Sequence, residues 1–148
     1  MTDRLFRVKH MGTWGPGPFD SDDAYDVIDE FTASPTAQVV EDALRFVLTP
    51  GYDGVEWQRA LAAAEIVAIM AGRPAADPDP HQKGVIQLVR NHNLVATPDL
   101  LSVAIQVCEN ALRQAEVENW RDLYGLPEDY EAWRQAVRDL QARLGETR

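Results

Sequence analysis

WQRALAAAEIVAIMA, residues 57–71, decides the fold. Six of its fifteen residues are alanine, the strongest helix former because its side chain loses no rotamer freedom. The large groups Trp57, Leu61, Ile66, Val67, Ile69 and Met70 lie on every side rather than on one stripe. A helix apolar all round is one surrounded by other helices. Small Ala62, Ala63, Ala64 and Ala68 let neighbouring backbones approach closely. Crossing a bilayer needs about 20 apolar residues, so the stretch reads as a buried core helix. Asp53 and Glu56 have the spacing of a capping box at its start. Gly72 and Pro74 form a stop signal at its end.

Glu65 is the only charge between Ala60 and Ala71, and its setting allows two readings. On the first, Gln58, Ala62, Glu65 and Gly72 share a narrow stripe that reaches solvent or a neighbouring arginine. On the second, an apolar surround raises the pKa of the carboxyl and makes it a functional candidate.

Amphipathic helices flank this stretch. Ala24, Val27, Ile28 and Phe31 predict a helix from Ser21 or Asp22 to about Phe31, with Asp22, Asp26, Asp29 and Glu30 outward. Ser34-Pro35 predicts the start of a second helix, with proline in its first turn. Its inner face would be Val40, Ala43, Leu44, Val47 and Leu48, and Pro50-Gly51 would end it. Beyond the proline-rich connector at 72–80, His81 to Asn91 predicts a shorter helix with Val85, Ile86 and Val89 inward. His92 falls at its end, where the helix dipole favours a cation. Thr97-Pro98 opens a long helix with Leu101, Ala104, Ile105, Cys108, Ala111, Leu112 and Ala115 on one stripe. Past Gly125 and Pro127, a last helix points Tyr130, Trp133, Val137, Leu140 and Leu144 inward and Arg134, Arg138 and Arg143 outward. The expectation is an all-α, single-domain bundle of about six helices around the central one, spanning 11–148; the full 148 residues suit one core of ordinary size.

The chain ahead of the bundle reads differently. Residues 1–10 carry three basic groups and one acidic group, and read as a tail or as a stretch preceding a start at Met11. In MGTWGPGPFD, Gly12, Gly15 and Gly17 alternate with Pro16 and Pro18, which excludes helix. An extended segment is expected, with Trp14 and Phe19 plugging the core. A phosphate-binding loop would need a preceding strand and a Gly-Lys-Ser/Thr ending, and Asp22 and Asp23 would repel an anion.

Charge bounds the function. Fourteen basic and 24 acidic residues give a formal net charge of −10, which disfavours a nucleic-acid backbone as partner. From Asp20 to Glu56, ten acidic residues face a single basic one, Arg45. Such acidity aids solubility, or it forms a docking face for a basic partner. A lone Cys108 allows no intrachain disulfide and fits a small core residue. His81 and His92 lack zinc spacing, and Asp20, Asp22 and Asp23 lack the glycine of a calcium loop. No metal or other cofactor is expected. The start, MTDRLFRVKH, has no apolar signal region, so a cytoplasmic location is expected.

Met11, Gly12, Thr13, Trp14 and Gly15, then Phe19, Asp22, Asp23 and Ala24, form a Met-Gly-small-Trp-Gly opening that leads into an acidic helix start. The second shared feature is ALAAAEIVAIMAGRP, with its single Glu65 and its Gly72-Arg73-Pro74 exit. With these the chain resembles a bacterial family known as domain of unknown function 4259, from Met11 to about Leu144. The resemblance implies a fold and boundaries and brings no activity.

Three functions remain in view. The first is a non-enzymatic, soluble helical interaction module whose acidic face meets a basic protein, as an immunity or antitoxin protein would. The second is a small enzyme or metal-binding protein in which Glu65 converges with Asp22, Asp23, Asp26 or His92 in one pocket. The third is a homo-oligomerising subunit that uses Trp57, Trp120 and Trp133. Binding candidates are Glu65, Asp22, Asp23, Asp26 and Trp14; no residue is assigned a catalytic or metal-ligating role.

Overall fold

The computed structural model describes residues 21–52, 56–120 and 127–145. Among these described residues six helices follow in order: α1 Asp22–Ala33, α2 Ala37–Phe46, α3 Trp57–Met70, α4 Pro80–Asn91, α5 Pro98–Val117 and α6 Pro127–Leu144. No strand occurs among the described residues, and none of their helices is long and apolar enough to cross a membrane. Residues 1–10, Trp14 and Phe19 lie outside the described residues.

Helix α3 packs against all five others. Twelve of its fourteen residues are buried; the exceptions are Gln58 and Arg59 in the first turn. The solvent-reaching stripe is absent, since Ala62 and Glu65 are both 0% exposed. Alanine explains why one rod tolerates so many neighbours: without long side chains, α1, α2 and α5 can sit close against it. The gaps are filled by Leu61, Ile66 and Val67, together with Phe31, Leu44, Leu140 and Trp133 from the surrounding helices.

The ends of α3 show what the local sequence does. At the C-terminus, Ala71 is the cap and Gly72 takes a φ of +76°. Gly72 N donates to Ile69 O and Arg73 N to Ala68 O, both at 2.9 Å, which closes a Schellman turn. The N-terminus departs from the capping-box expectation. Glu56 is itself the N-cap and its side chain makes no cap bond; Asp53 lies outside the described residues. The Tyr52 hydroxyl takes over: it accepts from Glu56 N at 2.7 Å and donates to the Glu56 carboxylate at 2.6 Å.

Elsewhere the caps correct the predicted boundaries by a residue or two. Ser21 caps α1, its hydroxyl accepting from Ala24 N at 3.0 Å, and α1 runs to Ala33. Helix α2 starts at Ala37, not at Pro35, because Ser34 is spent as the C-cap of α1 and Thr36 supplies the hydroxyl for Val39 N. It ends at Phe46, ahead of Pro50-Gly51. Helix α4 starts at Pro80, behind an Asp79–Gln82 capping box that the sequence reading missed. Thr97 and Pro98 open α5 as expected. Its buried face is turned slightly, toward Leu100, Val103 and Val107, leaving Leu101, Ile105 and Leu112 partly covered. In α6, Tyr130, Trp133, Val137, Leu140 and Leu144 are all buried as expected.

Candidate functional site

The first candidate is Glu65. Its position on α3, facing α6, puts the carboxylate wholly inside the protein. Arg143 answers it with two parallel hydrogen bonds, Nη1 to Oε2 at 2.7 Å and Nη2 to Oε1 at 2.8 Å. This corrects the expected outward direction of Arg143, whose side chain is only 13% exposed. Residue 143 follows the buried Leu140 by three and precedes the buried Leu144, so it sits at the edge of the apolar stripe of α6. From there a long side chain can turn inward while its stem covers apolar surface. Of the sequence readings, the neighbouring arginine holds and the solvent stripe does not.

The pair is bound into a larger clasp. Arg143 Nη1 also donates to Arg73 O at 3.1 Å, and Arg143 Nε donates to Asp139 at 3.0 Å. In return, Arg73 Nη1 donates to Arg143 O at 3.1 Å and Leu144 O at 3.2 Å, the terminal carbonyls of α6. The Schellman turn at Gly72 is what aims Arg73 at them. Burial pushes the Glu65 carboxyl above its ordinary value, against the pull of the Arg143 hydrogen bonds and charge. For Arg143, burial opposes the charge, but the hydrogen bonds and charges of Glu65 and Asp139 together outweigh it and raise the pKa. A carboxylate so completely occupied by one guanidinium has no oxygen free for a reacting group, and its chemistry is that of a structural tie.

Cys108 on α5 sits in the same electrostatic neighbourhood. Burial first, and the Glu65 charge second, push its thiol up to about 12. Only the thiolate is nucleophilic, so the folded protein should leave an aromatic disulfide reagent unreduced. Release of one equivalent of thiol is expected only in denaturant; prompt reaction without denaturant would contradict the burial of Cys108.

The second candidate lies on the other side of the bundle, where α1 and α2 meet the start of α3. Asp22 and Asp26 are exposed on the outer face of α1, and Asp23 is partly buried beside them. The Asp23 carboxyl is pushed above its ordinary value by burial and then by Asp26, with Asp22 and Glu56 adding to it and Arg59 opposing. Arg59 itself is held by both oxygens of Glu30, at 2.9 and 3.0 Å. Several carboxylates therefore crowd around one guanidinium. A carboxyl with a raised folded pKa is destabilising when ionised, and the penalty disappears as pH falls through that pKa. Asp23→Asn should therefore unfold at a temperature at or above that of the wild type at pH 7. The two should converge on acidification; a wild type that is the more stable at pH 7 would contradict the crowding.

Below this acidic rim is a groove of about 640 Å³ lined by Glu30, Val39, Asp42, Ala43, Phe46, Glu56 and Arg59. Phe46 is 55% exposed, one of three large apolar side chains so placed among the described residues. It meets Tyr52 edge-on at 5.6 Å, and Tyr52 meets the buried Trp57 at 5.8 Å, an aromatic run from surface to core. The sequence held a signal for this groove that went unread. Val39, Ala43 and Phe46 are spaced i, i+4, i+7, a second apolar stripe beside the core stripe of Val40, Leu44 and Val47.

The structure keeps the two candidates apart. The groups acting on Glu65 are Arg143, Asp139 and Asp79, whereas those acting on Asp23 are Asp26, Arg59, Asp22 and Glu56. His92 is the exposed C-cap of α4. Trp14 lies outside the described residues. Among the described residues, no three His, Cys, Asp or Glu side chains are grouped so as to hold a metal ion.

A family model described as Domain of unknown function (DUF4259) matches residues 12–136. No curated protein and no solved structure matches the chain. The matched span includes Glu65 and the whole acid-rimmed groove and stops short of Arg143.

Proposed function

The chain belongs to the family described as Domain of unknown function (DUF4259), and we propose that it is a non-enzymatic, cytoplasmic helical module that receives a basic protein on the outer face of α1 and α2. One observation carries this reading: among the described residues, the carboxylates of that face outnumber the cations that answer them. Asp22, Asp26, Asp29, Glu30 and Asp42 are exposed there. Arg59 is engaged with Glu30, and Arg45 with Glu41 and Asp99. Solubility alone would be served by dispersed charge. Burial first, and the charges of Asp26, Asp22 and Glu56 after it, raise the Asp23 pKa against the pull of Arg59; the part that comes from like charge opposes folding, and a basic partner would relieve that part. Complementary fields also speed encounter and reject acidic partners.

The test is capture of partners from the source cells by the whole chain and by Asp22→Asn/Asp26→Asn/Asp29→Asn/Glu30→Gln, followed by affinity measurement over a salt series. The expected result is a basic partner whose affinity falls steeply with salt and is weakened in the variant. A partner bound equally by both proteins, with no salt dependence, would overturn the proposal.

A further inference from the structure

The acidic face has an apolar floor, and the floor narrows the kind of partner that fits. Val39, Ala43 and Phe46 span two turns of α2, roughly 10 Å at 1.5 Å per residue. That length suits one helix laid along α2, the helix-in-groove mode of recognition. Of the three large exposed apolar side chains among the described residues, Phe46, Val95 and Val117, only Phe46 is aromatic, and aromatic anchors dominate binding energy at protein interfaces. The rim sets the sign. Glu30 is answered by Arg59, but Asp42 accepts from the neutral Gln38 amide, at 2.7 Å. A second copy of this chain would bring the same carboxylates to a two-fold contact and repel itself.

We infer that this groove docks an amphipathic helix of a basic protein, with one apolar side chain set against Phe46 and a lysine or arginine facing Asp42. The inference rests on the acidic-face reading and adds to it the groove, the anchor and the partner's secondary structure. The other groove described, about 420 Å³ between the end of α3 and α4, carries Arg90 and has no acidic residue in its lining, so it does not share this preference.

The probe is a synthetic amphipathic helix of leucine and lysine, titrated into the isotope-labelled full chain, with a leucine and glutamate helix of the same apolar pattern as the control. Amide shifts are expected at Val39, Ala43 and Phe46. Phe46→Ala should weaken binding about tenfold, as loss of an aromatic anchor does. Phe46 is exposed, so circular dichroism should confirm an unchanged fold. Asp42→Lys should weaken binding and flatten its salt dependence. Equal binding of the glutamate helix, or shifts confined to another face, would overturn the inference. If Phe46→Ala has no effect while Asp22→Asn/Asp26→Asn/Asp29→Asn/Glu30→Gln weakens binding, the groove fails and the acidic face stands; if neither matters, both fail. Reversing the charges of Arg4, Arg7 and Lys9 should leave affinity unchanged; a large gain would assign the groove to the chain's own basic segment and overturn its assignment to a partner.

Discussion

Arg143→Ala should lower the unfolding free energy by about 3–5 kcal/mol, read from the shift in the urea midpoint at constant slope. The loss comes from what remains behind. Glu65 has no exposed surface, so without Arg143 its carboxylate is charged, buried and unpaired. The sign of the pH dependence follows. Burial already holds the Glu65 carboxyl above its ordinary value, and removing Arg143 raises it further. A carboxyl that is raised in the folded state favours folding when protonated, and that contribution is lost as pH rises through the folded pKa. The deficit of Arg143→Ala should therefore shrink as the pH is lowered toward the ordinary carboxyl range. Replacing both partners, Glu65→Leu with Arg143→Leu, should be far milder than the single change, because an apolar pair leaves no orphaned charge. A loss below about 1 kcal/mol for Arg143→Ala would mean that water reaches Glu65.

Trp133→Ala should cost about 3–5 kcal/mol by the same measurement, the usual penalty for deleting a buried aromatic ring. Trp133 is 2% exposed in the middle of α6. It stacks on Tyr130 at 6.0 Å and lies against Trp120 at 5.4 Å, so its removal opens a cavity and strips these ring contacts. Trp133→Phe should recover a large part of the loss, since much of the ring volume is kept. The α5–α6 contact would be held by other groups if Trp133→Ala were nearly silent.

The parts of the fold that were legible in sequence are those where one signal acted alone. In WQRALAAAEIVAIMA, propensity and all-round apolarity agree, and α3 is buried along nearly its whole length. Thr97-Pro98 had no competing hydroxyl nearby and opened α5 as read. Ser34-Pro35 failed because Ser34 serves the helix behind it, leaving Thr36 to cap α2. Asp53 and Glu56 failed as a box because Glu56 is the N-cap itself and the Tyr52 hydroxyl binds its amide and carboxylate.

The candidate sites were legible one residue at a time and not as sites. Glu65 stood out as a charge in an apolar run, and Arg143 borders the apolar stripe of α6, but that stripe alone does not show that Arg143 turns inward to a carboxylate while Arg138 stays exposed. The difference is set by α3, seventy-eight residues away in the chain. The groove was hidden for the opposite reason. Val39, Ala43 and Phe46 form an apolar stripe beside that of Val40, Leu44 and Val47, and only the packing of α2 against α3 decides which of the two is covered.

The fold depends on α3 being the rod around which the other helices are assembled. Native-state amide hydrogen exchange measures that directly. The amides of Leu61 to Met70 should form the slowest class in the chain and exchange only through global unfolding, with an opening free energy equal to that from urea. Exchange of Ala62 to Ile66 through local opening, while α1 or α6 stays protected, would contradict it.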